Sequence, residues 1–338
     1  MTTAQGETYA EYIDRVLKPC ARHPATKVVD LFAGCGGLAL GFEASGFETH
    51  GFEMNQSAVD TYKKNLSGAC SHLKLTRGTP LPAARVLIGG PPCQPFSVGG
   101  NQNGVDDERN GIPLFVSAVE RVQPEVFLFE NVRGMLYRNH TYFNTVLEKL
   151  RQLGYVVEAR LLNAVDFGVP QNRERLIVVG FVKGLAEDRA AKHIWRWPVP
   201  EPNRITAGQA LGELATQVPP DSKFLTASMD AYVAKYEKAS KCINPRDLHL
   251  NRPARTLTCR NLAGATGDMQ RIHLPDGRRR RLTVQEAARL QSFPTWFRFS
   301  GTETEQFNQI GNAVAPLFAF HLAQAVRQML DTSSQERP

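Results

Sequence analysis

No two cysteines of this chain stand as C-x-x-C. The six it has, Cys20, Cys35, Cys70, Cys93, Cys242 and Cys259, are scattered. That spacing argues against a zinc site or a disulfide framework and for a reducing cytoplasm; no metal is expected. Long apolar runs are missing too. The longest, around Leu176–Val182, falls far short of the roughly 20 residues that a membrane span needs. The opening MTTAQGETYAEYIDRVLKP has neither an apolar core nor a cleavage-like pattern, so no secretory leader is expected. There is no internal repeat and no low-complexity tract, which excludes a repeat array.

What is present fits a soluble enzyme-sized chain. Its 338 residues suffice for about two domains, and 42% are hydrophobic, enough to bury a sizeable core. The net charge of +7 suits a polyanionic partner, either nucleic acid or an acidic membrane surface. The surplus is sharpest in GRRRR, Gly277–Arg281. That block is either a solvated turn or a contact with phosphates.

TKVVDLFAGCGGLALGFEASGFETHGFEMN, residues 26–55, reads as strand, glycine turn, helix, strand. Lys27–Leu31 is the first strand, a helix runs from about Leu38 to Gly46, and Phe47–Glu53 is the second strand. Residues 84–90 and 125–131 are two more buried strands, with a helix over 113–123 between them. A helix over 140–154 and two further strands, YVVEARLLNA and RLIVVGFV, complete an α/β sheet with helices on both faces. After Lys183 the pattern changes. Residues 196–206 are proline-rich and linker-like, and 207–280 are less periodic and more basic. Residues 283–293 read as a helix, 308–316 as a loop, and 316–330 as an apolar helix returning to the first domain. The expected division is 1–183 plus 300–338 for the large unit and 184–299 for an inserted smaller one.

The glycine turn lets backbone N–H groups approach a ligand, and Glu53, ending the next strand, can hold ribose hydroxyls. NAD, FAD and S-adenosylmethionine sites all use such turns. The spacing here is F-x-G-x-G-G, not the G-x-G-x-x-G that fits a pyrophosphate, and it favours S-adenosylmethionine. In GGPPCQPFS, 89–97, Pro91 and Pro92 fix the backbone ahead of Cys93. The stretch is a rigid mount for a reacting thiol or a proline-rich surface turn with an incidental one. Cys93 follows a strand at its carboxyl end, where open α/β sheets bind ligands. Glu130 ends another strand at the same edge, as a reacting carboxyl or as a capping or ion-pairing one. Arg173 and Arg175 share a face at the start of a strand, either solvated or clamping a carbonyl or phosphate.

Six segments then resemble one family in its own order. DLFAGCGG, GGPPCQPFS, FENVRGM, QNRERLIVVG, RPARTLT and QIGNAVAP are similar to the motifs of DNA (cytosine-5) methyltransferases of the bacterial restriction-modification type, across nearly the whole chain. The resemblance implies a Rossmann-like doubly wound sheet that binds S-adenosyl-L-methionine, with a target-recognition domain inserted before the C-terminal helix. It implies that Cys93 adds to C6 of a cytosine, as a strongly nucleophilic thiolate can. Glu130 would contact N3 and the exocyclic amine, and Arg175 the O2 carbonyl with Arg173 beside it. Phe32, Gly34, Gly36, Glu53, Pro92 and Asn312 match cofactor positions. Residues 97–111 look like the family's mobile loop over a flipped-out base, with Arg109 as its arginine on DNA. Arg278, Arg279, Arg280 and Arg281 would contact DNA, and 259–281 would share in base reading. Arginines favour guanine, which hints at a G·C-rich target.

The resemblance has one gap. The family's acidic adenine contact is missing from LTRGTPLP, where Thr79 or a backbone group would take its place. Double-stranded DNA is the expected partner, with a cognate restriction endonuclease possible on the same site. The protein is expected to be a cytoplasmic, nucleoid-associated monomer. An RNA cytosine-5 methyltransferase is the nearest rival. A nicotinamide-dependent oxidoreductase would leave Cys93 and Glu130 without a task. A catalytically dead DNA-binding regulator conflicts with an intact Cys93, Glu130 and Arg175.

Overall fold

Runs of apolar residues with no polar alternation need cover on both faces, and the strands of this chain get it. The computed structural model describes residues 6–20, 25–92, 110–137, 139–183, 195–220, 222–239, 246–264 and 267–335, with side chains to 332. Seven strands, β1 Thr26–Leu31, β2 Phe47–Glu53, β3 Ala69–His72, β4 Val86–Gly89, β5 Val126–Val132, β6 Tyr155–Asn163 and β7 Glu174–Val182, form one sheet. Its order is β3-β2-β1-β4-β5-β7-β6. Strands β1 to β5 pair in parallel, and β7 runs antiparallel between β5 and β6.

Alternate residues feed two layers. Val28, Ile88 and Leu128 point into one core with Phe42, Leu322 and Val326. Val29, Leu87 and Phe127 point into the other with Phe115, Val119 and Leu147. The helix Gly37–Ala44 lies directly on the C-terminal helix Pro316–Gln335. A Cβ on Gly41 would stand 2.4 Å from the Phe320 nitrogen, so only glycine permits this approach. The chain order reverses between β1 and β4, and ligands of open α/β sheets settle outside the strand ends at such a point.

Several elements go beyond the sequence reading. Tyr9–Val16 and Ala227–Ala239 are helices. So is Gln56–Asn65, with the Asn55 side chain accepting from Ala58 N–H as its cap. The segment read as a loop at 308–316 begins inside a helix, Glu303–Asn312. Its capping box of Thr302 and Glu305 lies upstream of the motif and starts the helix early. In the second half, β8 Arg271–His273 pairs with β9 Arg279–Arg281 as a small hairpin. Its Ile272 and the following Leu282 belong to the same apolar cluster as Phe42 and Leu322, so the core is continuous between the two halves.

Candidate active site

The glycine turn leaves β1 with three left-handed residues: Phe32 at φ 59°, Gly34 at 56° and Gly36 at 88°. Phenylalanine is rare there. A Cβ on Gly36 would meet the Tyr62 ring at 2.9 Å. Glu53 ends β2 and accepts from the backbone N–H of Gly34 (3.0 Å), Met54 (2.9 Å) and Asn55 (2.7 Å). Glu53 stands at the strand end where the sequence reading puts it, and its carboxylate ties the turn to the end of β2. Under the turn, Asp30 is buried with neither carboxylate oxygen hydrogen-bonded. Burial, and then Glu53, push its carboxyl up to about 8. Burial likewise raises the thiols of Cys35 and Cys70 to about 12, so neither supplies a thiolate at neutral pH.

The residue standing opposite Glu53 across β2 and β3 is His72, whose Nε2–H donates to the Met54 carbonyl at 2.9 Å. Thr79 is buried, and its hydroxyl accepts from Thr76 N–H at 2.8 Å. The hydroxyl thus helps to hold its own turn, together with the Thr76 hydroxyl 3.1 Å away. The strand pairing that singles out His72 is not visible from local sequence.

At the ends of β4 and β5 a second group assembles. Asn131 Nδ2 donates to the Pro91 carbonyl at 3.2 Å, and the Pro92 carbonyl accepts from Gly111 N–H at 2.8 Å. Pro91 and Pro92 are therefore held from two sides, a role for Asn131 and Gly111 that the sequence did not suggest. Cys93 and Arg109 lie outside the described residues. Glu130 and Arg175 meet across β5 and β7, with Arg175 Nε 2.5 Å from Glu130 Oε1 and each side chain 13% exposed. An ideal Cβ on Gly90 would lie 3.9 Å from Glu130 Oε2, so the carboxylate sits beside the start of the Pro91–Pro92 turn.

Arg173 does not join this pair on a substrate carbonyl. It is buried and donates to the carbonyls of Leu257 (2.7 Å), Gly311 (3.1 Å) and Ala313 (2.9 Å). Burial, and then the neighbouring Arg175 charge, lower its pKa well below the ordinary guanidinium value. Gln171 works alongside it, accepting from Leu257 N–H at 2.8 Å and donating to Leu290 O. The segments QNRER, RPARTLT and QIGNAVAP thus converge on one buried polar knot. Asn312 remains exposed beside it, with its Oδ1 accepting from Cys259 Sγ at 3.0 Å.

The model of C-5 cytosine-specific DNA methylases matches residues 26–328. The chain belongs to that family. The methylase is 52% identical to the type II methyltransferase M.AplI of Arthrospira platensis, over 96% of this chain and 92% of that one. It is 31% identical to the type II methyltransferase M.NgoFVII of Neisseria gonorrhoeae, over 89% and 86%. Among solved structures it resembles Spodoptera frugiperda DNMT2 (TM-score 0.67, 18% identity, 90% of this chain and 100% of that one). It also resembles a DNA modification methyltransferase encoded within an Escherichia coli prophage (0.66, 23%, 91% and 100%). These two show the shared fold.

The methylase uses S-adenosyl-L-methionine. The open glycine turn fits it, since nothing lies within 4 Å of a Cβ placed on Gly34. So does the Asp30 carboxyl under that turn, a buried polar group with no hydrogen-bond partner of its own. The arginine block of the methylase divides. Arg280 is wholly buried, paired with buried Glu286 at 2.6 Å and donating to the carbonyls of Leu214 and Gln217. It cannot reach a phosphate, which corrects the expectation for this residue. Strand alternation along β9 turns it inward. Arg281 donates to Leu262 O at 3.0 Å, and Arg279 stands 3.6 Å from Asp247. Arg278 is exposed, paired with Asp276 and stacked 4.4 Å over the Phe224 ring. A cleft of about 740 Å³ opens beside Arg175, its other wall formed by residues including Arg246, His249, Arg252 and Arg255.

Proposed function

We propose that this methylase acts on C5 of a cytosine swung out of a specific duplex DNA sequence, through a covalent adduct with Cys93. The observation that carries the reading is the Glu130–Arg175 pair at the strand ends beside the fixed Pro91–Pro92 turn. A cytosine edge offers O2 and N3 as acceptors and the exocyclic amine as a donor; a guanidinium donates to O2, and a carboxyl group accepts from the amine and, through a proton, meets N3.

In this reading the Cys93 thiolate adds to C6, and the ring electrons move toward N3. Glu130 holds the proton at N3, and Arg175 donates to O2. C5 thereby becomes nucleophilic. S-adenosyl-L-methionine, when bound, supplies an electrophilic methyl group; Phe32, Gly34, Gly36, Glu53, Pro92 and Asn312 would hold it. Once C5 carries its methyl group, its proton leaves and the C6–S bond breaks, which restores the C5–C6 double bond and the thiolate. Residues 1–183 with 300–338 serve catalysis and 184–299 recognition. Duplex DNA lies in the cleft beside Arg175, with Arg109 and Arg278 on the DNA. The type II naming of the relatives supports a role in restriction-modification, with a cognate endonuclease on the same site. The protein works as a monomer in the cytoplasm, on the nucleoid.

The test uses DNA with 5-fluorocytosine at the target, because fluorine cannot leave C5 as a cation. The duplex should be methylated and then remain attached to the protein through denaturing electrophoresis, only when the methyl donor is present. Peptide mapping should place the adduct on Cys93. Cys93→Ser should lose transfer while still binding the methyl donor, because a serine hydroxyl is hardly ionised at neutral pH. An active enzyme that leaves no adduct would sink the thiol route.

A further inference from the structure

The cleft beside Arg175 holds a group that the mechanism leaves unused. Asp268 lines it, with its side chain 20% exposed. Three arginines converge on this one carboxylate. Arg246 donates to Oδ1, Arg255 Nη1 lies 3.3 Å from the same oxygen, and Arg260 Nε lies 3.5 Å from Oδ2. Arg255 also donates to the Asp268 backbone carbonyl. Arg246 is fixed a second time by Tyr236, hydrogen-bonded to its hydroxyl at 2.7 Å and lying 5.0 Å over its ring.

The nearby Asp247 is occupied differently. Its partners are Arg271, whose side chain is wholly buried, and Arg279. Asp247 also lines the cleft, but its closest partner, Arg271, is turned into the protein. The Asp268 set is turned outward: Arg246 and Arg255 line the cleft, and Arg260 is 75% exposed at its side chain. Three positive charges around one negative charge still leave a cationic surface. Their mutual repulsion would splay the guanidinium groups if the acid were absent. Burial lowers the pKa of Arg255; Asp268 works against this, and repulsion from Arg246 and Arg271 adds to it. A surface needing only charge for phosphates would gain nothing from an aspartate at its centre. A surface that reads base edges needs its planar forks held at fixed angles, because recognition of guanine O6 and N7 is bidentate.

We propose that Asp268 is a positioning residue for target recognition, holding Arg246, Arg255 and Arg260 in the geometry that reads bases of the duplex in this cleft. The inference rests on the reading that duplex DNA occupies the cleft. Arginine forks favour guanine, so at least one G·C pair beside the target cytosine is read here.

The sign of the charge change makes the test decisive. The wild type first methylates DNA of known sequence, and bisulfite sequencing gives its site. Binding of labelled duplexes with that site and with a scrambled one is then measured against salt for Asp268→Asn and Asp268→Glu. Loss of an acid from a cationic surface would, by charge alone, tighten binding to both duplexes. Positioning requires instead that Asp268→Asn lower the preference for the target roughly ten- to hundred-fold, the worth of one bidentate arginine–guanine pair. It should also relax one base position in the methylation pattern. Asp268→Glu should restore much of the preference. Binding of the methyl donor and the melting temperature report on folding. If Asp268→Asn does not fold, Arg255→Lys and Arg260→Lys keep the charge, lose the fork, and should relax the same position. Equal tightening or equal weakening on both duplexes overturns the proposal while leaving the methylase reading intact. A wild type that methylates only RNA overturns the reading of the cleft itself.

Discussion

Arg278 and Arg280 stand two positions apart in one basic block and have opposite fates. Arg280 enters the protein to meet Glu286, with both side chains essentially out of water. Removing one partner of such a pair leaves a buried charge uncompensated, at a cost of about 3–5 kcal/mol. Arg280→Met should therefore lower the unfolding midpoint strongly, and Arg280→Met with Glu286→Leu should recover most of the loss. Calorimetry of the two variants checks this; a mild single variant would refute the structural role. Arg278→Ala should leave the melting point nearly unchanged and, if the side chain touches phosphate, flatten the salt dependence of DNA binding by about one unit. The sequence showed four arginines and could not tell them apart. The counter-charge of Arg280 comes from a separate helix, and the three carbonyls on Arg173 come from segments more than 80 positions away in the chain. The positions of Glu53 and Glu130 toward the ends of β2 and β5, and of Arg175 at the start of β7, were legible because the apolar runs beside them announce those strands.

Among the elements, six strands of the large sheet were read nearly to the residue, since buried strands are unbroken apolar runs bounded by glycine and proline, whereas the short, half-exposed β3 and the arginine-rich hairpin of β8 and β9 were not read at all. Phe47–Glu53 was read in full. The helix Gln56–Asn65 went unread because its cap and polar face look like a loop, and its buried stripe of Ala58, Val59, Thr61 and Tyr62 contains only two large apolar side chains. The contact of Gly37–Ala44 with the C-terminal helix gives the element-scale prediction. Gly41→Ala adds roughly 1 kcal/mol of helix propensity, but its methyl group would collide with the backbone at Ala319 and Phe320. Overpacking of this kind costs about 1–3 kcal/mol, and helices touching through backbone have little room to yield. Urea denaturation should show a net loss of stability. A gain would mean that the helices can separate freely.

At the scale of the molecule, the six motifs gave the fold and the family at once, while the joint between the two halves stayed hidden. That joint consists of buried polar groups, Gln171, Arg173 and Gln291, whose partners no local pattern reveals, and an apolar cluster shared by Phe42, Ile272, Leu282 and Leu322. A shared core predicts one cooperative unfolding transition in calorimetry. Two separated transitions would show that the second half holds itself together. The hydrogen bond from Gly111 N–H to the Pro92 carbonyl has a consequence for the residue at 111. It brings positions 92 and 111 together, and the junction has no slack: a Cβ on Gly111 would fall 2.5 Å from the Pro92 ring, so the chain can leave Pro92 and return at Gly111 only while that return residue stays a glycine.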